Sequence, residues 1–131
     1  MKILIIDDSR FLRLTNQKAL TRAGHDVIGT HDGELGLQIA VENNPDLILL
    51  DMMLPNLAGP DVLRALKKDP RTSSIPVIVL SGLSGKNKQK LIREGASDFL
   101  EKSDDLLAND SAALVSIVEK AFLNETSSNC K

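Results

Sequence analysis

The sequence Pro-Asp-Leu-Ile-Leu-Leu-Asp, residues 45–51, decides the fold of this chain, because an apolar run of strand length ends directly in a carboxylate. Its four consecutive apolar residues lack helical spacing and predict a β-strand buried on both faces, with Asp51 at the C-terminal end. The N-terminal run Lys-Ile-Leu-Ile-Ile, residues 2–6, has the same form and leads into Asp7 and Asp8. If the two strands are parallel neighbours, three carboxylates meet at one edge of a sheet.

Strands and helices alternate along the rest of the chain. The predicted strands are 2–6, 26–30, 47–50, 77–80 and 97–101. The predicted helices run from the cap Ser9 to about Arg22, over 34–43, from the loop 52–58 to Asp69, from the loop 84–87 to Gly95, and over the amphipathic segment 114–122. Strands that alternate with helices predict an α/β fold of three layers, in which a five-stranded parallel sheet is doubly wound with helices on both faces.

The first helix has an apolar face that Asn16 interrupts. We predict that this face comprises Phe11, Leu12, Thr15, Ala19, Leu20 and Ala23, with Gly24 ending the helix. His25 and His31 have no partners at zinc-ligand spacing, and we expect both at the surface.

Composition restricts the classes of function. The 131 residues include 16 Lys and Arg and 18 Asp and Glu, a net charge of -2 that gives no reason to expect nucleic-acid or membrane-surface binding. No stretch reaches the length of a membrane span or a signal-peptide core, and the single Cys130 suits a reducing cytoplasm. We expect one domain over 1–123 and a flexible polar tail over 124–131, with no output domain after residue 123.

Polar residues follow four of the five predicted strands. They are Asp7 and Asp8 after the first, Asp51 after the third, Ser81 after the fourth and Lys102 after the fifth. Ligands of open parallel sheets bind outside these C-terminal strand ends, so we expect the five side chains to form one site. Such an acidic cluster needs a cation, and oxygen ligands favour Mg²⁺, held directly by Asp8 and Asp51 and by Asp7 through water.

A metal ion with carboxylates, a hydroxyl and an ammonium makes a site for a phosphoryl group. Asp51 is the candidate nucleophile, because it stands alone at a strand end facing the other groups and carboxylates form aspartyl phosphates. Lys102 and Ser81 would each bind a phosphoryl oxygen. A new dianion that captures both would draw two loops inward and act as a switch.

These residues resemble the receiver domain of two-component response regulators, of the stand-alone CheY-like type, from Lys2 to about Leu123. The matching motif positions are Asp7-Asp8, Asp51, Pro55, Gly59, Ser81, Gly95-Ala96 and Lys102. The resemblance implies a flavodoxin-like fold with strand order 2-1-3-4-5. It also implies a Mg²⁺ shell that includes the main-chain carbonyl of Met53, and an aromatic switch residue at Phe99.

The resemblance further implies a signalling switch that catalyses only its own phosphorylation and dephosphorylation. Asp51 would take its phosphoryl group from a histidine kinase or a histidine phosphotransfer protein, and the phosphorylated form would bind a downstream protein target. A homodimer remains open. The chain departs from the family at Ser103, where a proline in a cis peptide is usual and we expect a trans peptide, at the additional residues 104–109, and at Gly82.

The residues bear on three other functions. A Mg²⁺-dependent phosphohydrolase with an aspartyl nucleophile needs a second carboxylate two residues beyond Asp51, where the chain has Met53. A pseudo-receiver, which binds partners without phosphorylation, is the alternative that keeps the same fold. Dinucleotide binding is excluded, because the turn after the first strand lacks the glycines that a pyrophosphate needs.

Overall fold

The computed structural model describes residues 2–51, 59–81, 92–93, 95–101 and 115–120, and it contains a five-stranded parallel sheet. The strands are β1 (Lys2–Ile6), β2 (Asp26–Thr30), β3 (Leu47–Asp51), β4 (Val77–Ser81) and β5 (Asp98–Glu101). Their order is β2-β1-β3-β4-β5, and all four strand pairs are parallel. The predicted doubly wound sheet and its strand order are therefore confirmed.

Three helices connect the first four strands. They are α1 (Arg10–Arg22), α2 (Gly33–Asn43) and α3 (Gly59–Lys68). Residues 92–93 and 115–120 are also helical, where the fourth and fifth helices were predicted, and the remainder of those two predicted helices lies outside the described residues. α2 begins at Gly33, within the predicted turn, because the side chain of Asp32 caps it by accepting from the Glu34 N–H at 3.1 Å.

The two ends of α1 follow from local sequence. The Ser9 side chain accepts a hydrogen bond from the Leu12 N–H at 3.3 Å, which caps the first turn as predicted. At the other end Gly24 has φ 97°, and the His25 N–H donates to the Leu20 carbonyl at 3.1 Å. This left-handed glycine ends the helix, because a residue with a side chain adopts that conformation only at a cost.

Alternate residues of the central strands face opposite layers of the molecule. Ile6 and Leu50 belong to a buried apolar cluster with side chains of α2 and α3. Ile5 and Leu49 belong to a second cluster, on the other face, with α1 and with Val118 of the C-terminal helical segment 115–120. All five residues of β3 are buried, as expected of a central parallel strand covered on both sides.

The predictions for three residues of α1 and its flank were wrong. Ala23 was assigned to the packing face, but it follows the last helical residue and is exposed. Phe11 is 67% exposed, although it was assigned to the packing face. It lies nine residues before the buried Leu20, about two and a half helical turns, and therefore on the opposite side of the helix. His25 is partly buried, whereas His31 is exposed as expected. Asn16, which interrupts the apolar face, is itself fully buried.

A buried threonine fixes the connection from α3 to β4. The carbonyl of Leu66 cannot bond to the residue four positions later, because Pro70 has no N–H. The hydroxyl of Thr72, which is 1% exposed, donates to that carbonyl at 2.6 Å. The connection therefore keeps the last turn of α3 hydrogen-bonded while it leads the chain back to β4.

Candidate functional site at the C-terminal sheet edge

Two buried carboxylates lie at the ends of neighbouring central strands. Asp51 is the last residue of β3 and is 3% exposed, and Asp7 follows β1 and is 0% exposed. The register pairs Ile6 with Leu50, so Asp7 and Asp51 are the next residues along two parallel strands. Neighbouring strands lie about 4.8 Å apart, and residues in register point to the same face. The structure therefore brings Asp7 and Asp51 together, as predicted.

Asp7 is held by hydrogen bonds to three different parts of the chain. Its N–H donates to the carbonyl of Thr30, at the end of β2, at 3.0 Å. Its Oδ1 accepts from the N–H of Ser9 at 2.9 Å, and its carbonyl oxygen accepts from Nη1 of Arg13 at 2.8 Å. Both the main chain and the carboxylate of Asp7 are consequently fixed, so the carboxylate oxygens are in position before any ligand binds.

The sequence reasoning did not identify Arg13. Two features of the sequence together could have indicated it. Ser9 caps a helix, and Arg13 lies one turn later on that helix, where a long side chain can reach back to the strand end. The N-terminus of α1 also lies at this edge, and its partial positive charge favours anions there.

The third predicted carboxylate is placed differently, because Asp8 is exposed. Among the residues that the structure describes, no group of three or more His, Cys, Asp and Glu side chains is arranged to hold a metal ion. Mg²⁺ commonly binds through only one or two protein carboxylates and keeps several waters. The buried pair of Asp7 and Asp51 therefore fits a hard divalent cation, with solvent supplying further ligands.

The backbone places two more of the predicted residues. Ser81 is the last residue of β4 and is in register with Glu101 of β5, and Phe99 is in register with Val79. The side chains of Ser81 and Phe99 lie outside the described part of the structure. Met53 and Lys102 lie wholly outside it, as does the predicted trans peptide before Ser103.

Comparison with known sequences adds independent evidence. A family model described as the response regulator receiver domain matches residues 3–120. The response regulator PleD of Caulobacter vibrioides is 41% identical over 106 residues, which cover 79% of this chain and 23% of PleD. Protein PilH of Pseudomonas aeruginosa is 36% identical over 105 residues, which cover 79% of this chain and 87% of PilH. The chain spans less than half of the length of the first curated relatives that it matches.

Solved structures of response regulators have a similar fold. The Mn²⁺-bound form of response regulator Rcp1 superimposes with a TM-score of 0.74 at 28% identity, over 84% of this chain and 88% of that one. Across the residues described here, no helix has the length and apolar character needed to cross a membrane.

Proposed function

This chain belongs to the response regulator receiver family of two-component signalling, and from that premise we propose that Asp51 accepts a phosphoryl group in a Mg²⁺-dependent reaction. Receiver domains act as signalling switches. The observation that carries the proposal is the position of Asp51, which is buried at the end of a central strand and is next in register to the buried Asp7. The Mn²⁺-bound form of Rcp1, a response regulator of similar fold, supports the binding of a divalent cation.

In the proposed reaction a carboxylate oxygen of Asp51 attacks the phosphorus of a phosphohistidine. An oxygen–phosphorus bond forms, the nitrogen–phosphorus bond breaks, and the electron pair of that bond leaves with the imidazole, which takes up a proton. Bound Mg²⁺ would offset the repulsion between the carboxylates and the phosphoryl oxygens, and Asp7, Asp8, Asp51 and the Met53 carbonyl are its proposed ligands. Asp7 contributes by being fixed before the donor arrives.

Phosphorylation would change the ends of β4 and β5. Lys102 follows Glu101, the register partner of Ser81, so the two loops begin at adjacent points of the sheet edge. We propose that Ser81 and Lys102 each bind an oxygen of the new dianion and that Phe99 turns inward as Ser81 moves. This movement would alter the surface that a partner recognises.

The partners follow from the family. Receiver domains interact with histidine kinases and downstream effectors, and we propose a histidine kinase or phosphotransfer protein as donor, a downstream protein as target, and the cytoplasm as the compartment. The match over residues 3–120 supports a receiver unit over 1–123 with a polar tail over 124–131. Homodimerisation on phosphorylation and a lack of direct nucleic-acid binding remain parts of the proposal.

Intact mass spectrometry tests the proposal. The protein is incubated with acetyl phosphate and Mg²⁺, beside an Asp51→Asn variant and an Asp26→Asn control. Asp26 is exposed at the start of β2, at the opposite edge of the sheet, so the control makes the same chemical change away from the site. We expect one added phosphoryl group in the unmodified protein and in the control, and none in Asp51→Asn or after chelation of the metal.

Two other outcomes would contradict the proposal. An adduct of equal yield in Asp51→Asn would assign the phosphoryl group to another residue. No adduct with acetyl phosphate or with a phosphorylated histidine kinase, together with no detectable Mg²⁺ binding, would favour the pseudo-receiver, in which the same fold binds partners without phosphorylation.

A further inference from the structure

We propose that Arg13 is a positioning residue for the acidic edge, by which we mean the strand-end carboxylates Asp7, Asp8 and Asp51. Arg13 holds the carbonyl of Asp7 and thereby sets the direction in which the chain presents Asp8. This inference rests on the proposed function and deepens it, because it assigns the geometry of the cation site to a residue that does not touch the cation.

The contact is short and sheltered. Nη1 of Arg13 lies 2.8 Å from the carbonyl oxygen of Asp7, whose side chain is fully buried. That carbonyl belongs to the peptide that links Asp7 to Asp8, so its orientation decides where the following residue begins. Two further hydrogen bonds of Asp7 join its N–H to Thr30, before this peptide, and the Ser9 N–H to its Oδ1, which closes a turn around the peptide. Arg13 adds a bond to the peptide itself, at its carbonyl oxygen.

A glycine in the neighbouring strand makes room for the arginine. Gly29 of β2 is in register with Ile5 of β1, beside the start of the acidic edge. A Cβ at Gly29 would lie 3.2 Å from both Cγ and Cδ of Arg13 and 3.0 Å from Oε1 of Gln17. These distances are tighter than ordinary van der Waals contact. The bare backbone of Gly29 therefore lets the stem of Arg13 cross the edge strand and reach Asp7.

Charge and position predict opposite effects, which makes the inference testable. The guanidinium is a positive charge close to a site that binds a cation, so removing the charge alone should tighten Mg²⁺ binding. Removing the hydrogen bond should weaken it, because Asp8 would no longer be held in one direction and ordering it would oppose binding. A weaker affinity after loss of the arginine therefore reports on positioning and not on charge.

The experiment measures Mg²⁺ affinity by isothermal titration calorimetry in Arg13→Gln and in the control Arg10→Gln. Arg10 is an exposed arginine in the first turn of the same helix, so both variants lose one positive charge near the acidic edge. We expect Arg13→Gln to bind Mg²⁺ about tenfold more weakly, about 1.4 kcal/mol. We expect Arg10→Gln to bind as tightly as the unmodified protein or more tightly, and Arg13→Lys, which keeps a charged donor, to recover most of the loss.

Two further measurements separate positioning from general stability. The thermal midpoint of Arg13→Gln should stay close to that of Arg10→Gln. The ¹⁵N order parameter of the Asp8 amide, which belongs to the same peptide as the Asp7 carbonyl, should be lower in Arg13→Gln alone when it is measured by NMR without metal. If Arg13→Gln does not fold, Gly29→Ala displaces the arginine stem while keeping its charge, and it should weaken Mg²⁺ binding in the same direction.

Equal Mg²⁺ affinity in Arg13→Gln and Arg10→Gln would overturn the inference, as would a lowered thermal midpoint with an unchanged affinity. Absence of Mg²⁺ binding by the unmodified protein would instead overturn the proposed function. In that case, equal order parameters at the Asp8 amide in the two glutamine variants would also overturn the positioning role, and a lower value in Arg13→Gln would support it.

Discussion

Replacing Gly36 by alanine tests how closely α2 approaches the strand that carries Asp7. Gly36 is buried within α2, and a Cβ built there would lie 2.5 Å from Cδ1 and 2.8 Å from Cγ1 of Ile6. Ile6 is fully buried in the cluster beneath α2 and α3, so its side chain has no solvent to move into. The alanine must therefore displace either the helix or the residue directly before Asp7.

The expected magnitude is the difference of two effects. Alanine in place of a glycine inside a helix stabilises by about 1 kcal/mol. Overpacking a dense core costs about 1–3 kcal/mol. We expect Gly36→Ala to lower the free energy of unfolding by about 1 kcal/mol, which for a denaturant slope of about 2 kcal/mol/M lowers the urea midpoint by roughly 0.5 M.

A double-mutant cycle identifies the atom responsible. Ile6→Val removes Cδ1, the atom that the new methyl group meets at the shortest distance, and alone it should cost about 0.5–1.5 kcal/mol. In a protein that already carries Gly36→Ala, Ile6→Val should lower the free energy of unfolding by less than it does alone, with a coupling energy of about 1 kcal/mol. Ile5→Val is the matched control, because it removes the same atom from the opposite face of β1. Urea unfolding is followed by far-ultraviolet circular dichroism, since the chain has no Trp or Tyr.

Two results would refute the reasoning. If Gly36→Ala stabilises the protein by the full helical gain, the space above Ile6 adapts without cost. If the coupling energy with Gly36→Ala is the same for Ile6→Val and Ile5→Val, the overpacking does not act through Cδ1 of Ile6.

Three further predictions concern stability. Burial, and to a smaller extent the N-terminal ammonium, hold the pKa of His25 below its ordinary value of 6.5, whereas Glu119 acts in the opposite direction. The unfolded chain therefore binds the proton first as the pH falls, so His25 should stabilise the fold fully above pH 6.5 and progressively less as the pH drops towards its folded pKa. Thr72→Val should cost about 1–3 kcal/mol, because it leaves a buried carbonyl without a donor. Ser9→Ala should cost about 1 kcal/mol, through loss of the helix cap.

Each of these predictions has a control. The urea midpoint, measured from pH 5 to 8, should depend less on pH in His25→Gln than in the unmodified protein, and equally in His31→Gln. The same pH dependence in both variants would argue against a role for His25. Thr21→Val removes an exposed hydroxyl, and an equal loss there would show that the burial of Thr72 is immaterial. Ser9→Asp keeps a capping oxygen and should retain the thermal midpoint that Ser9→Ala loses.

The features that the sequence predicted correctly depend on neighbouring residues along the chain. Four apolar residues followed by Asp51 can only be a short buried strand in a chain whose strands and helices alternate. Ser9 and Gly24 set the ends of α1, because a capping oxygen and a positive φ act within a few residues. Strand order came from the resemblance and not from periodicity, since the pattern of each strand says only that both of its faces are buried.

The features that the sequence missed depend on contacts between distant segments. Packing against the sheet determines which face of α1 is buried. That face includes Asn16 and Leu20, whereas Phe11 is exposed to solvent. His25 is partly buried, and Glu119 of the C-terminal helical segment acts to raise its pKa, which nothing within its own stretch of sequence indicates.

The sequence by itself determined the class of fold, the ends of α1 and the identity of the acidic residues, because strand burial, helix caps and strand-end carboxylates are local features. Only the tertiary structure decided that Asp7 and Asp51 are the buried pair while Asp8 is exposed. It alone joined Arg13 to the Asp7 carbonyl across the bare backbone of Gly29. The physical reason is that a hydrogen bond or a close contact between elements depends on how the helices lie on the sheet, and residue spacing does not specify that arrangement.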